Sequence, residues 1–190
     1  MTPPRLIGLY SPSPQAGKTT VATYLTEFGF YRAPFAAPIK RMARTFLIQL
    51  GYGPDDIDQL LTDCKEATLG GIRTSTRQIL RTLGTEWGRT CIHPDVWLMC
   101  WERIATRHLN SGVSVVVDDV RFENEAELIL RLGGELWSIT RPDVPAHPTE
   151  HASEGALDAY PKFSQHLTND ATLLDLYGDV RSILDPALAA

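Results

Sequence analysis

The sequence lacks a surplus of positive charge: 18 Lys and Arg stand against 23 Asp and Glu, a formal net charge of −5. No global basic field is available to hold a nucleic-acid polymer, although a local cluster of arginines can still serve a small anion. Cysteine is scarce. Cys64, Cys91 and Cys100 are the only three, and none is in C-x-x-C spacing, so they read as reduced thiols of a cytoplasmic protein. No apolar run approaches the ~18 residues of a membrane span. No basic stretch followed by a long apolar run marks a leader, so neither membrane insertion nor export is expected. Internal repeats, low-complexity tracts and a linker between domains are also missing. What remains is a chain of 190 residues, 43% hydrophobic and 22% charged. That composition predicts a single domain, 1–190, large enough for a proper core.

The pattern along the chain alternates strands with helices. A buried strand is expected over 5–11 and a helix over 17–28. A short strand from Phe30 to Phe35 is interrupted by Pro34, and Pro38 suits the first turn of a helix running to Leu50. Gly51-Tyr52-Gly53-Pro54 stops it. A short helix through Ile57 and Leu61 follows, then a polar loop over 62–74 containing Gly70-Gly71. The spacing of Ile79, Leu80 and Leu83 predicts a helix over 75–89, and His93-Pro94-Asp95 opens another through Trp97, Trp101 and Ile104. Val113 to Val117 is the β-branched run of a strand buried on both faces. A helix over 123–132, a strand from Glu135 to Ile139, a proline-rich excursion over 141–161, a short strand from His166 to Thr168 and a helix over 171–185 complete the chain. The order implies a doubly wound α/β fold with a central, mainly parallel sheet.

The first strand leads into Ser11-Pro12-Ser13-Pro14-Gln15-Ala16-Gly17-Lys18-Thr19-Thr20. Strand, short loop, Gly-Lys-Thr and helix is how a phosphate-binding loop is built, with consensus G-x-x-x-x-G-K-[ST]. Pro12 stands at the first glycine position. Backbone N–H groups converging at a helix N-terminus suit an anion, which makes Ser13, Gln15, Ala16, Gly17, Lys18, Thr19 and Thr20 the candidate nucleotide-binding residues. Gly17 would permit close backbone approach, Lys18 would bridge β- and γ-phosphate oxygens, and the Thr19 hydroxyl would ligate Mg²⁺. The alternative is an ordinary strand–turn–helix with a chance Gly-Lys-Thr.

The central strand ends in Asp118-Asp119, at the edge where open α/β sheets bind ligands. A carboxylate there can hold Mg²⁺, with Asp118 the candidate, or accept a proton or hydrogen bond from substrate, with Asp119 the candidate. It can equally cap the next helix. Arg121, two residues on, has the planar fork that suits phosphoryl oxygens; an ion pair with Glu125 is its plainer role.

Several segments together resemble the phage-type deoxynucleoside monophosphate (dNMP) kinases, a family of P-loop enzymes. They are Phe35-Ala36-Ala37-Pro38-Ile39-Lys40, Arg77-Gln78-Ile79-Leu80-Arg81-Thr82-Leu83-Gly84-Thr85-Glu86-Trp87-Gly88-Arg89, Asp118-Asp119-Val120-Arg121-Phe122-Glu123-Asn124-Glu125-Ala126 and His151-Ala152-Ser153-Glu154. They occur in family order over about residues 5–175. Two positions depart from the family pattern: Pro12 replaces glycine, and Thr19 replaces an aspartate, returning the loop to the general P-loop form. The resemblance implies a three-layer NMP-kinase-like fold with an acceptor-binding helical region over about 36–92 and a lid over about 141–161. It also implies phosphorylation of a dNMP by ATP with Mg²⁺, in phage DNA precursor synthesis within the host cytoplasm. Lys18, Asp119, Arg121 and Arg141 become catalytic candidates, and Phe35, Lys40, Arg77, Glu86, Trp87, Asp118, Asp119, Arg121 and Glu125 substrate-binding ones. Lys40 or Arg77 would pair with the monophosphate, Phe35 or Trp87 would stack on the base, and Glu86 would meet a base edge or sugar hydroxyl. The loop carrying Asn169 and Asp170 would touch the adenine through Asn169, or Asp170 would instead cap the last helix. His151 and Glu154 are too few for zinc; the segment is expected to serve lid closure or a helix cap by Ser153. A homodimer is a further expectation. Two other readings stay open: a dephospho-coenzyme A kinase-like enzyme, and a nucleotide-binding regulatory module that no longer transfers phosphate.

Overall fold

A computed structural model describes residues 3–143 and 157–185. Five strands form one sheet in the order β2-β3-β1-β4-β5, and every pairing is parallel. The strands are β1 (Leu6–Tyr10), β2 (Tyr31–Arg32), β3 (Val115–Val117), β4 (Glu135–Thr140) and β5 (Gln165–Thr168). Helices α1 (Lys18–Glu27), α2 (Ala37–Gln49), α3 (Pro54–Leu61), α4 (Thr76–Arg81), α5 (Val96–Asn110), α6 (Glu123–Arg131) and α7 (Leu173–Leu184) lie between and after them. The described chain divides into two compact units, one of residues 1–34 and 104–190, the other of residues 35–103.

The first unit holds the whole sheet. All five residues of β1 are buried, as expected of a strand covered on both faces. Successive side chains along a strand point to opposite faces, and β1 uses both. Ile7 and Leu9 pack with Val21, Ala22 and Leu25 of α1 and Leu176 and Val180 of α7. Gly8, between them, faces Ile129 of α6, whose Cδ1 would lie 2.6 Å from any added Cβ. The sheet is therefore the middle of three layers, and its parallel strands bring every C-terminal end to one edge.

The second unit is helical. Ala43 and Leu47 of α2, Ile57 and Leu61 of α3 and Leu69 form its core, with Ile79, Leu80 and Leu83 packed against it. The helix expected over 75–89 is only partly α-helical. After α4 the backbone widens into a π-helix over Thr82–Ile92, closed by His93 N–H donating to the Gly88 carbonyl five residues back at 3.0 Å. Gly84 and Gly88 weaken an α-helix here by ~1 kcal/mol each, and both serve the buried indole of Trp97. Its Nε1–H donates to the Gly84 carbonyl at 2.7 Å, and the ring covers Gly88 so closely that an added Cβ would lie 2.5 Å from Cζ2. β2 and β3 are shorter than expected, two and three residues. α7 starts at Thr172, whose hydroxyl accepts from Asp175 N–H at 3.3 Å; the cap is therefore Thr172 and not Asp170.

Candidate active site

The loop from Ser11 to Gly17 joins β1 to α1 at the C-terminal edge of the sheet. Proline at position 12 removes an N–H, and Ser11 braces the bend instead. Its hydroxyl donates to the Ser13 carbonyl at 2.8 Å and accepts from the Ser13 N–H at 3.2 Å. Gln15 and Gly17 both have positive φ, 57° and 110°. Such left-handed turns gather successive N–H groups on one side of a loop. Gly17 is the N-cap of α1 and makes no side-chain cap bond, and no acidic residue occupies the first turn. The helix therefore begins with free donors and an uncompensated positive dipole end. Ser13 and Ala16 are buried, while Gln15 and Thr19 are exposed.

Tyr10, Ser11, Pro12, Ser13, Pro14, Lys18, Val120 and Arg121 line one cavity over this loop. Two cations thus face one space. The Lys18 ammonium is held below its usual range first by burial and then by the charge of Arg121, while Asp118 and Asp119 pull it back up. A volume that brings two cations together, backed by helix N–H groups, is electrostatically suited to a polyanion.

Asp118 is buried beside the loop. Its Oδ2 accepts from the Thr19 hydroxyl at 3.3 Å and from the guanidinium of Arg32. Its Oδ1 is buried with no hydrogen-bond partner among the described residues. A buried carboxylate oxygen left unmet is costly unless something charged completes it. A hydroxyl and a carboxylate are hard oxygen donors, which Mg²⁺ takes in ones or twos together with phosphates and waters. The residues therefore fit that ion. Among the described residues no group of three or more His, Cys, Asp or Glu could hold a metal without such help.

The N-cap position of α6 is Phe122. The Glu125 carboxylate, buried, accepts from the backbone N–H of Arg121 at 2.8 Å and of Phe122 at 3.2 Å. Glu125 thus fixes the backbone from which Arg121 projects. Arg141 is exposed, one residue beyond β4. Asn169 follows β5 and donates its Nδ2–H to the Ala16 carbonyl at 3.0 Å.

The second unit carries the other candidates. Phe35 is 5% exposed and packs on Trp101 with ring centroids 4.4 Å apart, so most of its face is already covered. Trp87 is 43% exposed, 6.2 Å from the Trp97 ring, and Glu86 beside it is exposed. Lys40 is half-buried in α2. Arg77 is exposed and paired with Glu66. His151, Ser153 and Glu154, with most of the expected lid, lie outside the described residues.

Similarity to known proteins follows the same outline. A protein of Acanthamoeba polyphaga mimivirus, named a candidate deoxynucleotide monophosphate kinase, is 30% identical over 96% of this chain and 97% of its own length. The chain belongs to the deoxynucleoside monophosphate kinase family. A deoxynucleoside-5'-monophosphate kinase of Escherichia phage T5 is 32% identical over 53% of this chain and 42% of that protein. No family model matches. Solved structures share this fold at lower identity. A Thermus thermophilus protein covers 97% of this chain and 98% of its own at TM-score 0.56 and 19% identity. A Campylobacter jejuni dephospho-CoA kinase covers 96% of each chain at TM-score 0.52 and 13% identity. These two speak to the fold alone.

Two residues at or beside this cavity escaped the sequence. Arg32 ends β2, which lies beside β3 with Arg32 opposite Val116, so its guanidinium reaches Asp118. The available signal was a basic residue closing a strand next to an acidic strand end. Tyr10 closes β1 and lines the cavity, and its hydroxyl donates to Asp158. Burial, then that carboxylate, pushes its pKa well above the ordinary tyrosine value, so it stays a neutral donor. Nothing local in the sequence marks that pairing, which joins residues far apart in the chain.

Proposed function

We propose that the protein phosphorylates a deoxynucleoside 5'-monophosphate with ATP, and that the cavity over Ser11–Lys18 receives the donor phosphates. The observation that carries this reading is the convergence of Lys18 and Arg121 on one cavity at the open N-terminus of α1. Loop N–H groups and Lys18 would hold the β- and γ-phosphates. Thr19 and Asp118 would hold Mg²⁺, which when bound neutralises charge shared by the β- and γ-phosphate oxygens.

The acceptor atom is a phosphate oxygen. A phosphate monoester has a second pKa near ~6, so this nucleophile is already ionised at neutral pH and needs no general base. The new P–O bond forms at the γ-phosphorus as its bond to the bridging oxygen breaks and ADP departs. The task left to the protein is positioning, charge neutralisation and exclusion of water. Lys18 would follow the charge onto the leaving oxygen, and Arg121, which lines the same cavity, would meet the transferred group, with Arg141 as a second flanking cation. Asp119 is assigned to orienting substrate and not to proton removal. For the acceptor we assign Lys40 or Arg77 to the monophosphate, Glu86 to a polar edge and Trp87, the more open aromatic, to the base. A cytoplasmic setting and a homodimer remain part of the proposal without being required by the site.

The test is ADP release from ATP on addition of individual dNMPs. Turnover with at least one natural or modified dNMP supports the reading; ATP binding with no turnover on any of them supports the regulatory module.

A further inference from the structure

The phosphate loop is fastened from behind. Asn169 leaves β5 with its own N–H donating to the Thr140 carbonyl at the end of β4, 2.8 Å away. Its side-chain Nδ2–H donates to the Ala16 carbonyl at 3.0 Å. Ala16 is buried between the two positive-φ residues Gln15 and Gly17. The approach is close: an added Cβ on Gly17 would lie 2.9 Å from Nδ2 of Asn169. Positive φ and this contact both require glycine at position 17.

A trans peptide is planar, so its C=O and N–H point to opposite sides. The carbonyl of Ala16 and the N–H of Gly17 belong to one such plane. Holding that carbonyl on Asn169 turns the Gly17 N–H away from Asn169, to the face where the first-turn donors of α1 are open. We propose that Asn169 is a positioning residue for phosphate binding. Its carboxamide sets the Ala16–Gly17 peptide plane, and so adds one aimed N–H to the anion site. It acts through the loop and not through a base. Only a donor serves at this point; a carboxylate in the same place would face the carbonyl with like charge. This inference rests on the loop being the donor-phosphate site.

The experiment compares binding of ATP, GTP and inorganic tripolyphosphate to the full chain by calorimetry, for wild type, Asn169→Ala and Asn169→Asp. Asn169→Ala is expected to weaken all three ligands by the same factor, about tenfold for one lost aimed hydrogen bond. Asn169→Asp, isosteric and therefore a control for packing, is expected to weaken all three further. Loss of ATP affinity with tripolyphosphate unchanged overturns the proposal in favour of a base contact. Equal binding by wild type and both variants overturns it outright. Failure of wild type to bind either ATP or tripolyphosphate overturns the donor-site reading itself, a different result from the previous two. Should Asn169→Ala melt before binding can be read, the Asp variant decides: unchanged affinity overturns the proposal and uniform loss supports it.

Discussion

Replacing Gly88 with alanine tests the link between the family-specific segment and the packing of the second unit. The added Cβ would lie 2.5 Å from Cζ2 and 2.6 Å from Cε2 and Nε1 of Trp97, far inside ordinary carbon contact. Overpacking of this kind costs ~1–3 kcal/mol. The indole cannot slide away freely, because its Nε1–H donates to the Gly84 carbonyl in a buried bond of 2.7 Å; breaking it costs a further ~1–3 kcal/mol. Removing a helical glycine returns ~1 kcal/mol at most. The net loss is about 3 kcal/mol, which for a chain of this size lowers Tm by roughly 6–12 °C. Gly178 in α7 is the internal control, since nothing lies within 4 Å of its added Cβ. Gly178→Ala should stabilise by up to ~1 kcal/mol. Urea titration and calorimetry of both variants read the contrast. Equal shifts, or a neutral Gly88→Ala, would refute the account of Trp97 seated on a glycine face.

Three further outcomes follow from the site. Because burial and Arg121 hold Lys18 below its usual pKa, and bound phosphates restore the ammonium, the alkaline limb of kcat/KM should fall at lower pH than that of kcat; coincident limbs contradict this. The same shift makes stability rise with pH between the folded and unfolded pKa of Lys18, where the unfolded chain binds more protons. Arg32→Ala removes the counter-charge of buried Asp118. With the arginine partly exposed, the loss is discounted to about 1 kcal/mol, and Mg²⁺ should raise the Tm of the variant more than that of wild type; an equal rise means that ion and arginine do not share the carboxylate. Glu125→Ala strips two backbone N–H groups of their acceptor; it should cost about 2 kcal/mol in urea and lower kcat through Arg121, and unchanged turnover would assign Glu125 to stability alone.

The sheet, the loop and the acidic strand end were legible because each has a local signature: a β-branched run, a Gly-Lys-Thr after a strand, paired aspartates at a strand terminus. The π-helix was not, since Ile79, Leu80 and Leu83 fit α-periodicity and only Trp97, reached through the tertiary fold, explains Gly84 and Gly88. Arg32, Tyr10 and the grip of Asn169 on Ala16 were hidden for the same reason: each partner is more than 80 residues away in sequence, at separations of 86, 148 and 153. Pro12 departs from the consensus because the consensus records glycine and not the bracing that Ser11 supplies.

The central claim is that Lys18 and its loop carry phosphoryl transfer to a dNMP. Its most direct test is dNMP-dependent ADP formation by wild type and Lys18→Ala across a panel of natural and modified dNMPs, with melting curves to confirm that both are folded. The account predicts turnover by wild type on at least one acceptor and a loss of at least about a hundredfold in Lys18→Ala at unchanged Tm, in line with removal of one aimed charge from the transition state. Near-normal kcat in the folded Lys18→Ala variant would contradict it.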